Sequence, residues 1–69
     1  MNSQTTQNLE LLKEMFPKRL LLTKAEVAKT LGISEAGLDR QRVAGKIKAT
    51  KVGGLVQFNI TEIAEAMAS

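Results

Sequence analysis

"TKAEVAKTLGISEAGLDRQRVAGKI", residues 23–47, decides how this chain is read. Thr23 with Glu26 three residues on is a capping box, in which hydroxyl and carboxylate each satisfy an orphan amide at a helix start. Val27, Ala28 and Leu31 follow as a stripe at helical spacing. Gly32 supplies the left-handed residue that ends a helix cheaply, and Ile33 is expected to turn inward. Ser34 is a good cap for a second helix over residues 35–44. Leu38 is the clearest inward residue of that helix, Val43 or Gln41 completes its face, and Gly45 stops it. Gly37, inside the first turn, costs about 1 kcal/mol relative to alanine. Either a helix end tolerates it, or the backbone there must approach something closely. Two short helices joined by Leu-Gly-Ile-Ser form a helix-turn-helix pattern.

The next segment, residues 46–59, reads as a β-hairpin. "KIKATKV" and "LVQFN" flank Gly53-Gly54, which suits the two positive-φ positions of a type I′ turn. That turn pairs Val52 with Leu55, Thr50 with Gln57 and Ala49 with Phe58. Lys48, Thr50 and Gln57 then share one face, while Ile47, Ala49, Val56 and Phe58 face the core with Lys51 near the tip. Asn59 with Glu62 is a second capping box, opening a helix over residues 60–68 with Ile60, Ile63, Ala64 and Met67 as its apolar stripe. This helix is expected behind the hairpin.

Upstream, residues 1–6 are polar and are expected to fray. Leu9, Leu12, Met15 and Phe16 recur at helical spacing, so an amphipathic helix is expected over residues 5–16, stopped by Pro17. It either covers the body of the domain or pairs with a copy or a partner. "RLLLT", residues 19–23, is a brief strand or an extended entry. The expected architecture is α+β and mostly helical: a winged helix-turn-helix over 19–69 with a two-stranded hairpin wing and a C-terminal helix, preceded by an N-terminal helical extension over 1–18.

Composition narrows the function. The 69-residue chain has no cysteine, histidine, tyrosine or tryptophan. It lacks disulfides, the usual general base and the commonest transition-metal ligands, so neither an enzyme nor a metal or other cofactor is expected. The start lacks the order of a signal peptide and no apolar run reaches membrane-span length, so a cytoplasmic protein away from membranes is expected. The net charge of +3 is unevenly spread. Residues 1–39 balance, and residues 55–69 carry only the acids Glu62 and Glu65. Between them Arg40, Arg42, Lys46, Lys48 and Lys51 stand with no acid. This block is either a solvated face or a footprint for a polyanion. Helix plus basic hairpin suits duplex DNA, the helix in the major groove and the lysines on the backbone or the neighbouring minor groove.

Residues 21–54 resemble the winged helix-turn-helix of the excisionase family and its MerR-like and AlpA-like relatives. The resemblance rests on Leu22-Thr23, Glu26-Val27-Ala28, Leu31-Gly32-Ile33-Ser34, Arg40, Gly45-Lys46-Ile47, Lys51 and Gly53-Gly54. It implies sequence-specific binding of double-stranded DNA by a phage or mobile-element protein. Such a protein acts as an excisionase, a DNA-recombination directionality factor working beside an integrase and often in cooperative copies, or as a small transcription regulator. It further implies Ser34, Glu35, Ala36, Gly37 and Arg40 as the groove-facing residues and Lys51, Gly53 and Gly54 as the wing. Gln41, Lys46 and Lys48 complete the expected DNA-binding set, while Arg42 either contacts phosphate or points to the side of the helix. Asp39 stands where family members usually carry an aromatic residue. Glu35 and Asp39 near the groove would repel phosphates. The competing expectation is a protein-interaction module using Leu9, Leu12, Met15, Phe16 and Leu55, with little DNA binding of its own.

Overall fold

The computed structural model describes residues 2–68. Four helices and a three-stranded antiparallel sheet enclose a single core: α1 (Ser3–Met15), β1 (Leu21–Thr23), α2 (Lys24–Leu31), α3 (Glu35–Val43), β2 (Thr50–Val52), β3 (Leu55–Asn59) and α4 (Ile60–Ala68). This is the small α+β architecture expected. None of the described helices is long and apolar enough to cross a membrane.

Local chemistry sets the helix ends. The capping box at Thr23 is complete: Thr23 Oγ1 accepts from the Glu26 amide at 3.1 Å and Glu26 Oε1 accepts from the Thr23 amide at 2.9 Å. Arg19 grips the same carboxylate through both Nη atoms, at 2.7 and 3.0 Å. α2 then closes in a Schellman motif. Gly32 takes φ 71°, its amide donates to the Lys29 carbonyl, and the Ile33 amide donates to Ala28. α3 ends in the same way around Gly45 at φ 79°, with Gly45 donating to Arg42 and Lys46 to Gln41. Two matched exits therefore aim first α3 and then the hairpin.

The hairpin has the expected turn and register. Gly53 and Gly54 take φ 58° and 83°, Val52 opposes Leu55, and Thr50 opposes Gln57. The ladder ends at Thr50, so the expected Ala49–Phe58 pair does not form and Ala49 is exposed. Phe58 is instead buried beside Leu22, because β1 pairs along the other edge of β3 with Leu21 opposite Asn59 and Thr23 opposite Gln57. The sheet order is β1-β3-β2, so the expected two-stranded wing is part of a three-stranded sheet with β3 at its centre. This pairing joins residues far apart in the chain, and no local pattern announces it.

The N-terminal segment departs most from expectation. Frayed residues were expected up to Thr6, yet α1 begins at Ser3, capped by Asn2 Oδ1 accepting from Thr5 N at 2.7 Å. Met1 lies outside the described residues. Thr5 and Asn8 are buried, and Asn8 Nδ2 donates to the Ala64 carbonyl of α4 at 3.2 Å. These polar residues extend the stripe of Leu12 by two turns, with the Asn8 amide satisfied by Gln4 and Ala64. α4 accordingly packs most extensively on α1, with a smaller contact to β3, rather than chiefly behind the hairpin. Its cap is simpler than a capping box: Asn59 Oδ1 accepts from Thr61 N at 2.8 Å, and no bond from Glu62 back to Asn59 occurs among the described residues.

The core is Leu12, Leu22, Val27, Ala28, Leu38, Ile47, Phe58, Ile60, Ile63 and Ala64, with Leu9 and Phe16 packed against it. The boundary drawn at residue 18 is thus one of sequence pattern only, since α1 shares this core. Three expected inward residues stand at the surface: Met15 is 56% exposed, Ile33 39% and Val43 78%. On α3 only Leu38 is fully buried, so this helix is held by one deep side chain and by its flanking turns. Met67, expected in the stripe of α4, is also exposed.

Candidate nucleic-acid interface

The basic residues of the chain do not form one patch. Leu38 fixes the rotation of α3, and each further residue turns the helix by about 100°. Arg42, four residues on, lies about 40° from Leu38 and so faces the hairpin, while Arg40 lies about 160° from it and faces outward. The geometry agrees: Arg40 is exposed, and Arg42 is partly covered. Arg42 lines a groove of about 340 Å³ together with Gly45, Ile47, Lys48, Ala49, Thr50, Lys51 and Val56. Three of its lining residues are cations beside apolar Ile47, Ala49 and Val56, and among the described residues no acid lines it.

Outward on α3 stand Ala36 and Arg40, with Gly37 partly covered beside them. A Cβ at Gly37 would meet Ser34 Oγ at 3.2 Å and Arg40 Nη2 at 3.6 Å. The glycine thus leaves room for the Ser34 cap, whose Oγ accepts from the Gly37 amide at 2.9 Å, and for the Arg40 guanidinium folded over the first turn. Glu35 lines a separate hollow with Lys24, Gly54, Leu55 and Gln57, between the start of α3 and the hairpin tip. Gln41 and Lys46 fall on the opposite flank, in a hollow with Leu31, Ile33, Ile47 and Ala66. Lys46 also shares a polar recess with Lys48, Glu62 and Glu65. Gly53 and Gly54 form the exposed tip, and Leu55 beside them is 66% exposed. The structure therefore brings Lys48 and Lys51 together, adds Arg42 to them, and sets Arg40 on a neighbouring face and Gln41 with Lys46 on another.

Asp39 is the acid that argued most against a polyanion here. Its carboxylate is held by Lys24 Nζ at 3.0 Å and by Arg42 Nη2 at 3.5 Å. The Lys24 hydrogen bond chiefly, with the charges of Lys24 and Arg42 behind it, holds the Asp39 carboxyl below the usual carboxylate range. Its charge is thus neutralised locally, and it ties the first residue of α2 to the last turn of α3. Glu26 is likewise held low, chiefly by the Arg19 hydrogen bond and then by the Thr23 amide. Sequence reasoning left Arg42 open and gave Lys24 no role. The signal for Arg42 was its spacing from Leu38 and Asp39. Lys24 lies fifteen residues from Asp39 and gave none.

Comparison with known protein families, with curated proteins and with solved structures finds no match to this chain.

Proposed function

We propose that the chain binds double-stranded DNA as a winged helix-turn-helix, with α3 entering the major groove and the β2–β3 hairpin lying as a wing along the backbone or the adjacent minor groove. The observation that carries this reading is the groove between α3 and β2, which gathers Arg42, Lys48 and Lys51 with no acid in its lining. The outward face of α3 presents small Ala36 beside exposed Arg40, whose guanidinium lies over Gly37. The phosphate rail fits the cationic rim, and base edges fit Arg40, whose fork suits the O6 and N7 of guanine. The role that fits this surface is an excisionase working beside an integrase, alone or in cooperative copies, or a small transcription regulator of a mobile element.

The test is titration of a labelled duplex at several salt concentrations. Binding through three to five phosphates per copy gives a log-log slope of roughly −3 to −5. Binding that ignores salt would refute the reading. A recombination assay with a neighbouring integrase separates the two roles, since only an excisionase shifts the reaction toward excision.

The second reading, a protein-interaction module, draws on exposed Leu11 and Met15 of α1, Leu20 just before β1, and Val52 and Leu55 at the hairpin. Its surface differs from the one expected from sequence, because Leu12 is buried and Leu9 and Phe16 pack on the core. Salt-independent capture of a protein partner, with no duplex binding, would favour it.

A further inference from the structure

Resting on the duplex-binding reading, we infer that Arg42 is the phosphate anchor between recognition helix and wing, and that Asp39 is the positioning residue that holds it there. Arg42 carries five N–H donors. Among the described residues the guanidinium's one hydrogen bond is the long 3.5 Å contact to Asp39, and its Nε is shielded from solvent with no partner. Buried donors are normally satisfied, so the shielded Nε is the exception, while the rest of the side chain, 32% exposed, stays open to solvent. Arg42 lines the groove shared with Lys48 and Lys51, and with Nε shielded it is the Nη donors not engaged by Asp39 that are left for a ligand there. A phosphate is the ligand chemistry that fits: planar forked donors suit its oxygens, and two flanking ammonium groups complete the cationic rim.

Asp39 gives Arg42 its direction. An arginine free on a helix samples many rotamers, and fixing it costs conformational entropy that a ligand must otherwise supply. Asp39 is itself fixed by Lys24 from a different helix, so the chain Lys24–Asp39–Arg42 transmits the rigid α2–α3 packing to the guanidinium. An acid within the interface thereby favours polyanion binding, the reverse of its bare charge effect. The carboxylate accepts one Arg42 donor and leaves the others to the groove.

The experiment is a double-mutant cycle read by fluorescence anisotropy on a labelled 20-base-pair duplex, at salt concentrations around 0.1 M, with circular dichroism confirming that each variant is folded. Losing one neutralised phosphate lowers the salt slope by about one and weakens binding about eight-fold at 0.1 M salt. Arg42→Gln is expected to do both, and Arg42→Lys to restore the slope while recovering only part of the affinity. Asp39→Ala makes the protein more positive and by charge alone would tighten binding. The positioning role predicts no tightening, and predicts that Arg42→Gln in the Asp39→Ala background costs about two-fold instead of eight. If Asp39→Ala destabilises the fold, Lys24→Gln breaks the same chain one link earlier and is expected to shrink the Arg42 effect likewise. An unchanged slope and affinity in Arg42→Gln, beside an intact salt-dependent wild type, overturns the anchor and leaves duplex binding standing. Equal Arg42→Gln costs with and without Asp39 overturn the positioning role. A wild type without salt-dependent duplex binding removes both this inference and the reading beneath it.

Discussion

Replacing Leu12 by alanine tests whether α1 belongs to the domain or only decorates it. Leu12 is 1% exposed and lies one turn beyond Asn8, the residue that binds the α4 carbonyl at Ala64. Core leucine-to-alanine changes cost about 2–5 kcal/mol, from lost transfer energy and the cavity left behind. A domain of this size holds only about 3–5 kcal/mol in total. A cost near 3 kcal/mol, at about 4–8 °C per kcal/mol, lowers the melting temperature by roughly 12–24 °C. Met15, one turn along the same helix and 56% exposed, is the control. Met15→Ala is expected to stay within about 0.5 kcal/mol of wild type. Urea and thermal unfolding followed by circular dichroism measure both. If Leu12→Ala is too unstable to fit, Leu12→Val gives a smaller cavity and a measurable transition. Equal stabilities for Leu12→Ala and Met15→Ala would refute the shared core. They would mean that the sheet carrying the hairpin stands without the first helix.

Gly54→Val forces a β-branched residue to φ 83° and is expected to cost about 1–2 kcal/mol, with faster amide exchange confined to the hairpin. Glu26 has a folded pKa held below its unfolded value, so the stability it contributes is present above about pH 4 and is lost as pH falls through the depressed value. Glu26→Gln should therefore flatten the stability–pH profile in that acidic window, measured by urea unfolding from pH 2 to 6. An unaltered profile would show that the Arg19 contact does not persist in solution. Lys51→Glu is expected to weaken binding to every duplex sequence alike, whereas Arg40→Ala should cost about 1–3 kcal/mol and relax preference at one base position. Competition titrations against random and selected duplexes separate these two outcomes.

Much of this molecule was legible where a short stretch contains its own reason. The Thr23–Glu26 box, the Ser34 cap, the left-handed exits at Gly32 and Gly45, and the Gly53-Gly54 turn with its Val52–Leu55 register depend on residues no more than five apart. In each, backbone sterics and one or two hydrogen bonds decide the conformation before any packing.

What needed the third dimension was every choice between faces and partners. Val43 and Ile33 are apolar, yet Val43 lies about 140° round α3 from inward Leu38 and Ile33 stands in the Schellman exit of α2, and both are exposed. Thr5 and Asn8 are polar, yet Asn8 is buried because an α4 carbonyl comes within reach of its amide. β1 joins β3 across a long stretch of chain, and Lys24 meets Asp39 only because the α2–α3 turn folds the start of α2 against the middle of α3. Sequence by itself determined the Thr23 and Ser34 caps, the glycine turns and the placing of cations in one block. Tertiary structure decided that Lys48 and Lys51, which the hairpin pattern set on opposite faces, share a groove with Arg42, because the ladder ends at Thr50 and leaves Lys48 outside it, while a core drawn from the whole chain sets α3 beside the hairpin.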